Sequence, residues 1–381
     1  MKKVLILSPF FYPEKISTGK YNTYLAKELV KQGYSVDVLC SHPIYPNWKP
    51  STSFDGIKGV NIFRGGQNNH FPKNQLLRRI VLEIWFLCFV FFNRKKLNDY
   101  SHIIPIFPPS LFMLAVHCFS SKSKIVGIVH DLQGVYASNG DGYLRNLISV
   151  IIRKVEKLSF NSCDKLIFLS ESMMSESCRL YSLNDVSKSV AYPFITIEDF
   201  TNHGKLNEIF KSNNKKIVYS GALGDKQCPQ QLVNFFERFI DEVPGFDAYI
   251  FSQGPIFESL RRKDSKVNFF PLVDEELLPE LLLRSDIQVI PQQAGTSDGS
   301  LPSKLPNIIA SGTKLLCITD EGSELVSLLS GYRNAITSNT WDVDELIKKS
   351  KELNERSISS ELSDKFRSKF KLSKLVSLIV D

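Results

Sequence analysis

Two lysines among small residues carry the clearest chemical signal in this chain. Residues 297–312 read SDGSLPSKLPNIIASG and lie between the apolar runs 286–290 and 314–319. This alternation predicts strand, loop, short helix and strand. Pro302 is placed to open the helix and Gly312 to close it. Free backbone N–H groups at such a start, backed by the helix dipole, would favour an anion. Lys304 would sit in the first turn, where the dipole disfavours a cation, and a bound diphosphate would account for it. An ordinary βα loop with a solvated lysine is the alternative. The second lysine, Lys226, lies in the turn 221–227 (GALGDKQ), which Gly221 opens. Two ammonium groups beside a helix start suit a diphosphate leaving group. Each well-placed donor that meets charge growing on a departing phosphate is worth roughly 3 kcal/mol.

Other chemistries fit less well. No Walker-type lysine loop or GxGxxG is present. Residues 295–299 match GxSxG formally, but the serine is too far from strand and helix for a nucleophile elbow. The last histidine is His203, so the order serine, acid, histidine cannot be completed. The single DxD, Asp342 to Asp344, opens a predicted helix and reads as a cap in preference to a metal site.

The elements that position these residues follow from periodicity. Residues 3–8 are a buried strand, 21–31 an amphipathic helix and 35–40 the next strand, which predicts a parallel, doubly wound sheet. Gly19 ends the first loop. Residues 102–107 and 124–129 read as further strands, and His130 and Asp131 follow directly at the edge where such sheets bind ligands. Local hydrogen bonding of that pair is the alternative. Residues 164–170 form another strand, ending at Glu171. A polar stretch, 182–214, reads as the close of one domain and a linker. The βα alternation then restarts at 216–220 and continues through 247–252 and 267–270. Two domains are expected, 1–195 and 196–364, with a final helix over 365–381 packing back on the first. The expected architecture is α/β, with two Rossmann-like domains facing one cleft.

The 381 residues are 43% hydrophobic and 23% charged, as in an ordinary globular protein. A net charge of +7, with no arginine stripe interleaved with aromatics, argues against a nucleic-acid partner. Seven scattered cysteines without a CxxC pair argue for a reducing compartment and against a zinc site. The apolar run after Met1-Lys-Lys is strand-length, so a cytoplasmic protein is expected. Residues 80–92 are apolar except for Glu83, and Arg78, Arg79, Arg94 and Lys95 flank them. A membrane span needs about 20 such residues. The run therefore predicts an interfacial helix, with Trp85, Phe86 and Phe89 in the lipid and the cations on anionic headgroups. A buried core helix is the alternative.

Five ordered stretches together resemble a known family. They are Tyr12-Pro13 through Gly19-Lys20-Tyr21, then residues 219–227, Gln253-Gly254-Pro255, residues 269–272 and residues 301–312. The chain resembles glycosyltransferase family 4, of GT-B fold, most like the branch with the colanic-acid fucosyltransferase and the N-acetyl-fucosamine transferases. The resemblance implies that Lys226 and Lys304 contact a nucleotide diphosphate and that Gly19, Gly221, Gly254 and Ser303 line the donor. It implies that the loop from Phe270 to Val273, with Leu272 in it, holds the base through backbone groups and that His130, with Asp131 beside it, lies next to the transferred sugar. Asn307 stands where the family has the second glutamate of Glu-x7-Glu, and Gly299 where it has the first; Asp298 is a candidate substitute. No cofactor and no metal are implied. The implied partners are a UDP- or GDP-sugar, an undecaprenyl-diphosphate-linked acceptor and the inner face of the plasma membrane. The implied reaction is a retaining transfer in O-antigen, capsule or exopolysaccharide synthesis. A sugar-nucleotide epimerase or phosphorylase of the same fold, or a non-catalytic sugar-nucleotide-binding protein of a polysaccharide assembly complex, are the alternatives.

Overall fold

The computed structural model describes the whole chain except residues 1, 15, 46, 53–55, 121, 133–142, 262–264, 298–300 and 358–359. For residues 75, 143–149 and 360–363 it describes the backbone only. The chain divides into unit 1, Met1–Tyr192 with Leu372–Asp381, and unit 2, Pro193–Lys371.

Unit 1 holds β1 (Lys3–Leu7), β2 (Ser35–Ser41), β3 (Val60–Gly65), β4 (His102–Phe107), β5 (Lys124–Val129), β6 (Lys165–Phe168) and β7 (Ser187–Val190). They form one sheet in the order β3-β2-β1-β4-β5-β6-β7, every pair parallel. Val4 to Leu7 are fully buried, as a central parallel strand covered on both faces requires. The chain winds outward from β1 to β3, then crosses to β4 and winds the other way.

Unit 2 repeats the plan with β8 (Lys215–Ser220), β9 (Phe246–Ser252), β10 (Asn268–Pro271), β11 (Ile287–Pro291), β12 (Lys314–Ile318) and β13 (Ala335–Ser338). Their order is β10-β9-β8-β11-β12-β13, again all parallel. The helix Pro229–Glu242 buries Leu232, Phe235, Phe236 and Phe239, at helical spacing, in the core of this unit. Both units are thus Rossmann-like.

Some elements depart from the sequence reading. β7 lies inside the stretch read as a linker. Among the described residues it pairs with β6 alone, and its sequence SKSV lacks the apolar run of a strand buried on both faces. The C-terminal helix is broken into Ser360–Arg367, a 3-10 turn at Ser368–Phe370, and Leu372–Val380. Phe370 is fully buried at the break and its carbonyl accepts from Ile195 N. The last segment packs on the helix Ser17–Lys31, and Lys165 Nζ donates to Leu378 O at 2.7 Å.

The helix Gln75–Phe92 corrects the expected lipid contact. Phe86 is fully buried, with its ring 4.9 Å from that of Phe112. Trp85 and Phe89 stack on each other at 5.4 Å. They occupy space left by two glycines, for a Cβ on Gly65 would meet Phe89 at 2.5 Å and one on Gly66 would meet Trp85 at 2.7 Å. These three aromatics therefore pack inward, as core burial demands. The outward residues are Leu77, Ile80, Ile84, Phe91 and Phe92, the last 77% exposed. Glu83, the one charge in the run, accepts from Ser110 N at 3.0 Å and Leu111 N at 2.8 Å. Lys95 is exposed, the Arg94 guanidinium lies over the Phe91 ring, and Arg78 and Arg79 are half-buried. Among the described residues no helix is long and apolar enough to cross a membrane.

Candidate functional site

In unit 2 the strand order reverses between β8 and β11. Loops that leave a parallel sheet at such a point diverge, and the crevice they leave is where ligands bind in doubly wound sheets. Gly221 follows β8 there. Its N–H continues the pairing to Phe251 O at 3.0 Å, and its φ of +147° is a conformation other residues rarely adopt.

Lys304 reaches the same place from the loop after β11. Its Nζ donates to Ser220 O at 3.3 Å, lies 3.8 Å from the centre of the Tyr219 ring, and would stand 3.6 Å from a Cβ on Gly221. Tyr219 is held by its hydroxyl, which donates to Ala222 O at 2.6 Å. No carboxylate pairs with Lys304 among the described residues. Burial pushes its pKa from the ordinary 10.5 down to about 7. A desolvated amine held by a carbonyl and an aromatic face, with no carboxylate on it among the described residues, is matched to an incoming anion.

The helix behind Lys304 is Leu305–Ser311, and it starts three residues later than expected. Leu305 N closes a turn onto Pro302 O, and the first helical bond runs from Ile308 N to Lys304 O. Lys304 is therefore the cap residue and stands outside the first turn, so the expected conflict between its charge and the helix dipole is reduced. Gly312, at φ +75°, ends the helix as expected. Ser303 is exposed beside it.

Lys226 is exposed on the 3-10 turn Asp225–Gln227. Its carbonyl accepts from Gln293 N at 2.7 Å, so the loops after β8 and β11 meet at this residue. Asp320, just past β12, anchors the second loop through Ser297 Oγ at 2.5 Å and Gly295 N at 2.9 Å. Those donors hold its carboxyl below the usual range, with the Ser297 hydroxyl the largest cause. Ser297, the serine of the GxSxG match, thus serves as a loop anchor. Asp298 and Gly299 lie outside the described residues.

The remaining donor candidates are spread along the same edge. Gly254, at φ +102°, is exposed after β9. Phe270 in β10 stacks on Phe251 at 5.7 Å, and Leu272 is half-buried just beyond. Asn307 is 8% exposed and is engaged within the protein. Its oxygen accepts from Thr196 N and its amide donates to Thr196 Oγ1, both at 2.9 Å. Asp342 caps the helix Val343–Glu355 through Glu345 N at 2.8 Å. Among the described residues no three metal-ligating side chains cluster. A recess of about 400 Å³ lined by Tyr332, Arg333 and Arg356 lies where β13 begins, at the opposite edge from the lysines.

Unit 1 reverses between β1 and β4. Gly19 sits within the first turn of the helix Ser17–Lys31, where a Cβ would lie 2.7 Å from Glu14 Cβ. The glycine lets the loop after β1 fold back so that Glu14, 4% exposed, accepts from Ile44 N at 3.0 Å and Tyr45 N at 2.7 Å. Burial raises the Glu14 pKa against the pull of those N–H groups and of Arg64. Arg64 also donates to the carbonyls of Ser41 and Tyr12.

His130 follows β5, and its N–H donates to Phe107 O at 2.9 Å. Its ring centre lies 6.1 Å from that of Tyr21. Desolvation of the imidazole drives its pKa from 6.5 to about 4, so it is neutral at pH 7. Asp131 Oδ1 accepts from Leu132 N at 3.0 Å, a local bond of the kind weighed as the alternative. Tyr219, Asp320, Glu14 and Thr196 were not among the sequence candidates. Tyr219 and Asp320 could have been sought as polar groups near strand ends, whereas Thr196 meets Asn307 only through the fold.

Comparisons with known proteins bear on the fold and on the sequence as a whole. Residues 18–199 match the family model described as Glycosyltransferase Family 4. The chain is 25% identical over 368 residues to the "Putative colanic acid biosynthesis glycosyl transferase WcaI" of Escherichia coli (strain K12), covering 87% of this chain and 86% of that protein. The sucrose-phosphate synthase (tll1590) of Thermosynechococcus elongatus superposes with a TM-score of 0.75 at 13% identity, covering 99% and 98% of the two chains. WaaG, a glycosyltransferase involved in lipopolysaccharide biosynthesis, superposes at 0.70 and 13% identity, covering 99% of each chain. The fold is therefore GT-B, and residues 18–199 within it carry the Glycosyltransferase Family 4 match.

Proposed function

We propose that the protein is a retaining glycosyltransferase of bacterial polysaccharide synthesis. It moves a sugar from a UDP- or GDP-sugar to an undecaprenyl-diphosphate-linked acceptor at the inner face of the plasma membrane. The observation that carries this reading is Lys304, a desolvated amine at the switch point of unit 2 that no carboxylate pairs with among the described residues. The kinship with WcaI supports the sugar-transfer class and its polysaccharide setting.

In this reading the donor's diphosphate lies against Gly221 and meets the ammonium of Lys304, with Lys226 adding charge from the exposed turn. As the bond from sugar to phosphate breaks, charge grows on the leaving oxygen and the preorganised amine stabilises it. The same charge neutralisation needs no metal. His130, kept neutral by burial, exchanges hydrogen bonds with the transferred sugar without adding charge. The leaving phosphate oxygen accepts the proton of the acceptor hydroxyl as that hydroxyl's oxygen bonds to the anomeric carbon on the face the phosphate leaves, which gives retention.

One observation favours a second reading. Asn307 stands at a position where the family has a ribose-binding glutamate, and its amide group is engaged by Thr196. A sugar-nucleotide-binding protein without catalysis fits that arrangement. A thermal-shift panel of UDP, GDP and their sugar conjugates tests the site, since a ligand of the folded state raises its melting temperature. The proposal expects one base to stabilise the wild type and to lose its effect in Lys304→Ala. No shift from any nucleotide rejects both readings. Stabilisation without donor hydrolysis or transfer supports the second. Turnover of the donor without an acceptor product points to an epimerase.

A further inference from the structure

We infer that Phe10, Trp48 and Phe71 form a saccharide-binding platform that takes the acceptor's sugar, an inference that rests on the transferase reading above. Each aromatic comes from a different loop at the carboxyl edge of the unit 1 sheet. Phe10 follows β1, Trp48 follows β2 and Phe71 follows β3. Their rings meet at Trp48, with Phe10 at 6.3 Å and 86° and Phe71 at 5.6 Å and 65°. All three residues are only partly buried. Three successive loops converging on one part-exposed indole is an arrangement that packing of the core does not require.

The backbone at Trp48 points the same way. Its φ is +55°, in the left-handed region where a bulky side chain is an outlier. Surrounding bonds hold the loop in place. Ser51 N donates to Pro43 O at 2.9 Å, His42 N to Gly65 O at 2.9 Å, and Ile44 and Tyr45 donate to Glu14. Backbone strain retained under such constraint clusters at ligand sites.

Arg78 supplies the polar half of the site. Its guanidinium lies 4.2 Å from the centre of the Trp48 ring, and no carboxylate pairs with it among the described residues. A sugar has an apolar C–H face and a rim of hydroxyls. An indole and two phenyl rings offer surface to the first, and a guanidinium with free N–H donors serves the second.

Saturation-transfer NMR with the methyl glycosides of glucose, galactose, fucose and N-acetylglucosamine tests the platform on the full chain. The wild type should saturate the C–H protons on one face of at least one glycoside. Trp48→Leu should weaken that binding about tenfold, the order expected for loss of one aromatic contact. Trp48→Phe should restore part of it, and Trp341→Phe, in unit 2, should leave it unchanged. The nucleotide-induced melting shift serves as the folding control, because both Trp48 variants keep Lys304 and Gly221. Unchanged glycoside signals in Trp48→Leu, or none from the wild type with any of the four, overturn the platform. If the platform behaves as expected while no nucleotide binds the wild type, the transferase reading fails and the saccharide site stands. If nucleotide binding and transfer are intact and the signals ignore Trp48, the transferase reading stands and the platform fails.

Discussion

The two units are wound alike, yet their carboxyl edges are dressed for different chemistry. In unit 2 the edge at the switch point carries small residues and an amine set over the Tyr219 ring, with Gly221 and Ser220 leaving room for Lys304. In unit 1 the corresponding edge carries a neutral imidazole at His130 and aromatic rings at Phe10, Trp48 and Phe71. A doubly wound sheet supplies only the place, and the loop residues decide which ligand the place suits. In our proposal the difference gives unit 2 the donor's charge and unit 1 an aromatic surface with Arg78 at its rim.

The largest effect expected from that division falls on Lys304. Replacing it with alanine should lower turnover by about a hundredfold or more, while the melting temperature stays within a few degrees of wild type. The first half follows from the loss of leaving-group stabilisation, and the second from the poor solvation of the amine, whose removal costs the fold little. Steady-state rates with a donor sugar, set beside differential scanning calorimetry, check both. A variant with normal turnover would move the charge chemistry away from this amine and erase the contrast between the edges.

A smaller effect should appear in the pH dependence of nucleotide affinity. In the free protein Lys304 titrates near 7, so above that pH it is mostly neutral. A bound diphosphate favours the ammonium and raises its pKa, so binding at pH 8 must take up a proton. Below pH 7 the group is already charged and contributes no slope. From about pH 7 to 9 the affinity should fall by up to tenfold per pH unit. Calorimetric titrations in buffers of different ionisation enthalpy would register the proton, and Lys304→Ala should abolish the uptake. His130 contributes nothing in this range, since its pKa lies near 4. A flat profile in the wild type would mean that the amine is already charged before the anion arrives.

How far these edges could be read from the sequence depended on the range of the interactions that build them. The central strands were legible because burial on both faces leaves continuous apolar runs, as in Val4 to Leu7. β7 was not, because a strand paired on one side tolerates the polar pattern SKSV. Lys304 could be placed after β11 from the spacing of small residues around it. The Tyr219 ring under its Nζ could not, since the contact spans 85 positions and depends on two loops meeting. Asn307 was aligned to a ribose contact by its position in a motif. Its partner Thr196 is 111 residues away, and nothing local announces it. For the helix Gln75–Phe92 the run was apolar all round, so periodicity could not say which face the core had taken. The glycines at Gly65 and Gly66 decided it, by making room for Trp85 and Phe89.

That helix gives the smallest predicted effect and the sharpest correction. Its outward face carries Ile84, 52% exposed, and Phe92, 77% exposed, with Arg94 and Lys95 at the end. If unit 1 rests on an anionic bilayer, these exposed residues meet the lipid and the inward aromatics do not. The double variant Ile84→Ser, Phe92→Ser should reduce co-sedimentation with phosphatidylglycerol vesicles a few-fold. It should also leave the melting temperature nearly unchanged, because solvent-exposed substitutions cost little. Phe86→Ser should do the reverse. It removes a ring packed 4.9 Å from Phe112 and buries a hydroxyl in its place, so the protein should lose roughly 3–5 kcal/mol of stability. Binding that survives in the double variant and is unaffected by raised salt would show that this face is not where the protein meets a membrane. The apolar exposure would then need another partner, and the aromatic edge of unit 1 would lose its link to a lipid-borne acceptor.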